Sequence, residues 1–270
     1  MSLRAEVLRL RVVLKFTLAE SDRAQKLAPT RFAVRPLSAY LGPCLDLPIG
    51  HHSPLSVEMR EASLEIPLNT GTWFTYNGVA LPCHLPLGVI LDLLRLSDPI
   101  VSLTVHLRHF PADKLLSGPR EGLWCHALKQ ACFICYMSID TFSAMSTSEQ
   151  QQLWVAINSD SSGITPLFDR LFVPSIPLRG VPVRVLSADT DFVGWHRAVQ
   201  PVVAPTSTLI QVMASVSAGK GLSSVLVQGL QVDLAAGGMG DLSMVELWRE
   251  FRYLDGFLYI VVASRIDETP

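Results

Sequence analysis

Apolar and polar residues alternate from Arg9 onward, with Leu10, Val12, Leu14, Phe16 and Leu18 on one side and Arg9, Arg11, Val13, Lys15 and Thr17 on the other. A period of two over that length predicts a half-buried strand. A second strand is predicted at Arg31 to Pro36, followed by a loop rich in Pro and Gly and a short helix at Ser53 to Ala62. Trp73 to Tyr76 then reads as a strand that turns at Asn77-Gly78 and returns through Val79 to Cys83. Asn-Gly between two apolar runs is the residue pair a tight hairpin favours, since both positions need a positive φ. Leu87 to Leu96 shows helical spacing, and Val101 to Arg108 alternates again.

The far end repeats this order. Val181 to Ser187 and Val199 to Val203 read as strands, and Thr208 to Val216 as a helix. Val225 to Gln228 enters a turn at Gly229, Ser243 to Phe251 is helical, and Phe257 to Ser264 closes with a strongly apolar strand. Two strands, a helix, two strands, a short helix and a strand are what a β-grasp, ubiquitin-like module would show, although other α+β folds share the pattern. Between the two ends, Pro111 to Pro174 changes to a helical period. Ser146-Thr147-Ser148-Glu149 resembles a capping box ahead of Leu153, Trp154 and Ile157. On a helix over Leu123 to Met137, Leu128, Ala131, Cys132 and Cys135 share one sector, which leaves Lys129 on the solvent flank near Phe133 and Tyr136. Segments at Ser215 to Ser224 and Ala235 to Gly240, rich in Gly, Ser and Ala, read as flexible loops.

Composition narrows the functions open to such a chain. Hydrophobic residues make up 49% of the 270 positions, charged residues only 17%, and mean hydropathy is +0.33, so disorder is excluded and much of the surface must be covered or apolar. No apolar run approaches the roughly 18 to 20 residues of a membrane span. Arg4, Arg9 and Arg11 hint at a basic leader, but Glu6, Glu20 and the strand spacing argue against one. The formal charge is -2 with no dense basic cluster, which disfavours nucleic acid and a basic membrane-binding face alike. Five cysteines without framework spacing fit a reducing, cytoplasmic setting. Arginines outnumber lysines 17 to five, and Lys129 is the one lysine between Lys114 and Lys220.

Several residue groups invite a chemical reading and fail it. Cys125, Cys132 and Cys135 with His126 are zinc-ligand types, yet the thiols fall in one apolar helix sector without a second matched pair, so no metal or cofactor is expected. Cys83 and His84, adjacent on a strand, would point to opposite faces and could not act as nucleophile and base. The segment around Lys220 lacks the first Gly of a phosphate loop, where Ala214 stands, and Gly221 replaces the Ser or Thr that reaches Mg²⁺. The chain therefore does not read as an enzyme.

The stretch WFTYNGVALPCHLPLGVILDLL, Trp73 to Leu94, resembles a signature of the autophagy protein 5 family: a Trp, a Tyr-x-Gly turn, a Pro-Leu, a His-x-Pro-x-Gly and an Asp-Leu-Leu in this order. Similarity continues through LTVHLRHFPADKLL, EQQQLW, VPVRVL and GFLYIVV. Three departures are visible: the Trp-x-Gly-x-Ile-Pro opening is missing, Cys83 stands where a Trp is usual, and Gln130-Ala131 follows Lys129 in place of an acidic-Ala pair. The resemblance implies an α+β fold of two ubiquitin-like β-grasp modules, at 1–110 and 179–270, flanking a helix-rich region at 111–178. It implies that the chain accepts autophagy protein 12 either through an isopeptide bond from the modifier's C-terminal Gly to Lys129 or in a non-covalent complex, and that Gly88 and Asp92 help hold a helix of autophagy protein 16. The resulting complex would promote lipidation of autophagy protein 8 with phosphatidylethanolamine, from the cytoplasm and peripherally on the phagophore membrane. Gly88 would permit close approach of the partner helix, and Asp92, one turn on, could accept an Arg from it. An adaptor module unrelated to autophagy is the other function such a fold could serve.

Overall fold

The structure, a computed structural model, describes residues 10–22, 30–41, 72–96, 98, 100–117, 120–158, 164–172, 176–188, 199–217 and 222–263. The helix expected at Ser53 to Ala62 and the segment at Lys220 lie outside them. The first sheet runs β2 (Thr30–Pro36), β1 (Arg11–Leu18), β5 (Ile100–His106), β3 (Trp73–Tyr76), β4 (Val79–Ala80). β1 and β5 are parallel neighbours, with Leu14 opposite Val101, and the remaining pairs are antiparallel. Val12, Leu14, Phe16 and Leu18 face the core as the alternation requires. Leu10 is 45% exposed: it precedes the strand, and the alternation stops carrying information where pairing stops. Asn77 and Gly78 turn the β3–β4 hairpin with φ of 48° and 81°, the two positive values a type I′ turn needs.

The second sheet runs β6 (Val183–Ala188), β9 (Leu258–Ala263), β7 (Ser224–Val227), β8 (Leu230–Asp233), again with a parallel central pair. The strand expected at Val199 to Val203 is reduced to one antiparallel bridge, Val185 to Val199, because Pro201 and Pro205 supply no N–H to extend the ladder. The bridge occupies the edge that β2 holds in the first sheet, so both sheets share one mixed topology. Ala235 to Gly240 is more ordered than its composition suggests: Gly237 and Gly238, at φ of 74° and 72°, lead into a single 3₁₀ turn at Gly238–Asp241.

The helical region contains α2 (Arg120–Tyr136), α3 (Asp140–Ser143), α4 (Thr147–Asn158) and α5 (Ile164–Leu171). The capping box is formed: the Glu149 N–H donates to Ser146 Oγ at 3.2 Å and the Ser146 N–H to Glu149 Oε2 at 2.8 Å. Helix α6 (Leu209–Val216) follows the bridge, and α1 (Leu87–Leu94) and α7 (Met244–Phe251) each precede the last strand of their sheet.

One apolar core joins all three regions. The Tyr40 ring of the first module lies tilted against Trp154 of α4 at 5.5 Å, and Trp154 lies 5.6 Å from Trp124 of α2. The Trp124 indole donates in turn to the Leu254 carbonyl of the second module at 2.9 Å. That row of rings lets the helical region act as a wedge, since buried aromatics add orientation to the burial free energy.

Candidate functional site

Lys129 lies on the exposed side of α2, and the packing of that helix explains why. Trp124, Leu128, Ala131, Cys132 and Cys135 are buried, so positions 126, 129, 130, 133 and 137 are left facing out. The Lys129 ammonium sits 5.1 Å from the centre of the Phe142 ring on α3 rather than against Phe133 or Tyr136. A cation over an aromatic face is held weakly, which leaves the amine ordered yet accessible. Phe133 and Met137, one and two turns further along, expose 48% and 62% of their surface, so the amine stands beside an apolar strip.

The buried thiols among the described residues are held away from chemistry. Cys132 and Cys135 are fully buried; burial pushes the Cys132 thiol up to about 11 and raises Cys135 further, keeping both protonated and unreactive. Cys83 lies in a turn rather than on a strand. Its thiol donates to the Leu81 carbonyl at 3.3 Å, and burial raises its pKa. Among the described residues no group of three His, Cys, Asp or Glu side chains is placed to hold a metal ion, and no helix is long and apolar enough to cross a membrane.

Gly88 and Asp92 lie together on α1, on the side that meets the second module. The close approach at Gly88 is made within the chain: an added Cβ would fall on the Tyr253 hydroxyl and 3.1 Å from Leu37 Cβ. Glycine is thus needed here for packing within the chain. Asp92 is 7% exposed. Burial raises its carboxyl from the ordinary value to about 7, against the opposing effect of the Gly229 and Gln228 backbone N–H groups that face it from the β7–β8 turn. No cation among the described residues is paired with it. It lines a cleft of about 280 Å³ between the end of α1, with Leu91, Arg95 and Leu96, and the second module, with Leu226, Gly229 and Gln231. A cleft that combines Leu91, Leu96 and Leu226 with a buried carboxyl and the polar Arg95, Ser224 and Gln231 suits an amphipathic segment that brings a cation to Asp92.

Lys129 and the Asp92 cleft are separate features on different elements. Sequence spacing placed the amine on a solvent flank but gave no sign of the seam between modules. The available signal was LGVILDLL itself: a helix apolar almost all round is covered on every side.

Comparison with known proteins adds to this geometry. Two family models match: "Autophagy protein ATG5, alpha-helical bundle region" over residues 121–162, and "Autophagy protein ATG5, UblB domain" over residues 180–262. The chain is similar to autophagy-related protein 5 of Kluyveromyces marxianus, at 27% identity over 241 residues, covering 80% of this chain and 84% of the relative. It is similar to autophagy protein 5 of Drosophila melanogaster at 30% identity over 140 residues, or 48% of this chain and 51% of the relative. The crystal structure of Kluyveromyces marxianus Atg5 shares the fold with a TM-score of 0.74 at 24% identity, covering 97% of this chain and 99% of that one.

Proposed function

The chain belongs to the autophagy protein 5 family, and from that premise we propose that it acts as a scaffold and conjugation acceptor, with Lys129 receiving the C-terminal Gly of autophagy protein 12. Membership gives it a role in autophagy and sets aside an adaptor unrelated to that process. The observation that carries the proposal is the placement of Lys129: an exposed amine on α2, within the matched helical region, ordered by one ring and flanked by exposed apolar side chains.

The chemistry asks little of this chain. Lys129 Nζ, having lost a proton, attacks the carbonyl carbon of a thioester between the modifier and its conjugating enzyme. The C–N bond forms, the C–S bond breaks, and the enzyme's thiolate leaves. This protein supplies the nucleophile and its orientation, while activation comes from the partner, so the chain is a non-catalytic component. The cleft at Asp92 is the second part of the proposal. A helix of autophagy protein 16 would set an Arg against the buried carboxyl, giving it a cation that none of the described residues supplies. Placement on the phagophore membrane and lipidation of autophagy protein 8 then follow from the assembled complex rather than from this chain alone.

Two substitutions test the two parts. Lys129→Arg is expected to abolish the covalent adduct in a reconstituted reaction while thermal unfolding stays unchanged; an adduct of native abundance would refute the assignment. Asp92→Ala is expected to weaken capture of the helical partner, and undiminished capture would remove Asp92 from that interface.

A further inference from the structure

Gln130, the residue after Lys129, is exposed, yet it is held by a side chain 54 positions away. Arg184 of β6 donates from Nη2 to Gln130 Oε1 at 3.0 Å and from Nη1 to the Tyr259 hydroxyl at 2.9 Å. Its guanidinium carbon lies over the Phe257 ring, 3.8 Å from the ring centre. Tyr259 faces Arg184 across the parallel β6–β9 pair, and its hydroxyl donates a hydrogen bond to Asp255 Oδ2 at 2.5 Å. Asp255 is 1% exposed, and its other oxygen accepts the Phe257 N–H at 3.0 Å. The guanidinium is thus clamped by a buried carboxylate through one hydroxyl and by a ring beneath it, and the only exposed end of this chain of bonds is Gln130. A planar fork fixed at one prong fixes the other.

The neighbouring position is pinned as well. Ala131 packs against Gly256, where an added Cβ would come within 2.6 Å of Ala131 Cβ, and Gly256 has a φ of 85° that favours glycine. The second module therefore grips α2 at two consecutive residues, one turn of helix that also carries Lys129.

We infer that Arg184 is a positioning residue for the acceptor amine, acting through Gln130 to set the rotation of α2 at Lys129. The inference rests on the acceptor role of Lys129 proposed above and adds to it a requirement for the second module. An amine that attacks a thioester carried by another protein reacts faster when its direction of approach is set in advance. The Arg184–Gln130 bond sets that direction from the far module, which explains why an exposed amide is worth immobilising.

The test is single-turnover adduct formation, with the modifier charged as a thioester on its conjugating enzyme and presented at increasing concentration to the full chain. Gln130→Ala removes the amide oxygen but leaves half-buried Arg184 and the buried Tyr259 and Asp255 in place, so folding is preserved. It is expected to lower the maximal rate about tenfold, well inside the hundredfold that misplacing a reacting group can cost. The half-saturating thioester concentration should stay within about twofold of native. Gln130→Glu keeps an oxygen for Nη2 and is expected to restore the native rate. A native rate in Gln130→Ala, an equal loss in Gln130→Glu, or a loss confined to the half-saturating concentration would each overturn the inference while leaving Lys129 as acceptor. Absence of any adduct on the native chain would refute the acceptor reading itself, and the inference with it.

Discussion

Helices α1 and α7 occupy the same place in their modules, each eight residues long and each leading into the last strand of its sheet. They could hardly be built more differently. Helix α7 buries Met244, Leu247, Trp248 and Phe251 and turns Glu246 and Arg249 to solvent, as a helix packed on one side should. Helix α1 buries every residue from Leu87 to Leu93, because its own sheet covers one side and the second module the other. At the sixth position α7 carries exposed Arg249 and α1 carries buried Asp92. Their starts differ in whether a side chain caps them. Helix α7 is capped by its own Ser243, in a capping box with Glu246. Helix α1 follows Pro86, and its first N–H groups are satisfied from a distance, Leu87 by the Ala39 carbonyl and Gly88 by the Leu37 carbonyl, both at 2.8 Å. Helix α7 draws on distant carbonyls as well, its Met244 and Val245 N–H groups donating to Ser207 at 2.7 Å and Pro205 at 3.3 Å, so the contrast lies in its added capping box and in the burial of α1 on both sides.

The largest expected effect sits on Asp92. Its carboxyl titrates near 7 in the folded chain and near 3.8 unfolded. Below the lower value both states are protonated and nothing is lost. Between the two the unfolded chain releases a proton that the folded chain keeps, so stability falls as pH rises, and above the upper value the loss is complete. Roughly three pH units at about 1.36 kcal/mol each place the full loss at up to about 4 kcal/mol. Asp92→Asn should therefore match native near pH 4 and exceed it at pH 8 in urea denaturation of the free chain. A constant difference across that range would show the carboxylate to be solvated. The helical partner, by supplying a cation, should reverse the ranking at pH 8.

Gly88→Ala comes next. Overpacking against the Tyr253 hydroxyl should cost roughly 1–3 kcal/mol, with Tyr253→Phe recovering part of it in the double variant. The matching position on α7 is Val245, which already carries a side chain. Equal tolerance at the two sites, measured by the shift in unfolding midpoint, would mean the seam is looser than its contacts indicate.

Much of the fold was legible beforehand, because strands and hairpins are short-range statements. The Asn77-Gly78 turn was legible for its type, and the Gln228-Gly229 turn only for its glycine. There φ is 50° and 79°, but Gln228 is kept at the first position by a side chain that donates to the Phe251 carbonyl at 2.6 Å. That second turn is docked against Asp92, whereas Asn77 and Gly78 are exposed. The lateral solvent flank of Lys129 was legible from helical period alone. The burial of Asp92, the internal reason for Gly88 and the Arg184–Gln130 bond were not, because each joins residues from different modules, and local periodicity records nothing of what a module's outer side will meet.

A smaller expected effect concerns the caps. Ser243→Ala should destabilise by about 1 kcal/mol, since its hydroxyl satisfies the Glu246 N–H and no distant carbonyl replaces it. The smallest is Arg249→Gln, expected to stay within about 0.5 kcal/mol of native on its exposed face. A larger loss there would make α7, too, part of a contact, and the contrast between the helices would narrow.

The most direct measurement is to map the branch site. The full chain, incubated with the modifier and its activating and conjugating enzymes, is digested and its α2 peptide sequenced by tandem mass spectrometry. The account expects a Gly remnant on Lys129, with Lys15 and Lys114 unmodified. A remnant on either of those lysines, or a stable complex carrying no branch at all, would contradict it.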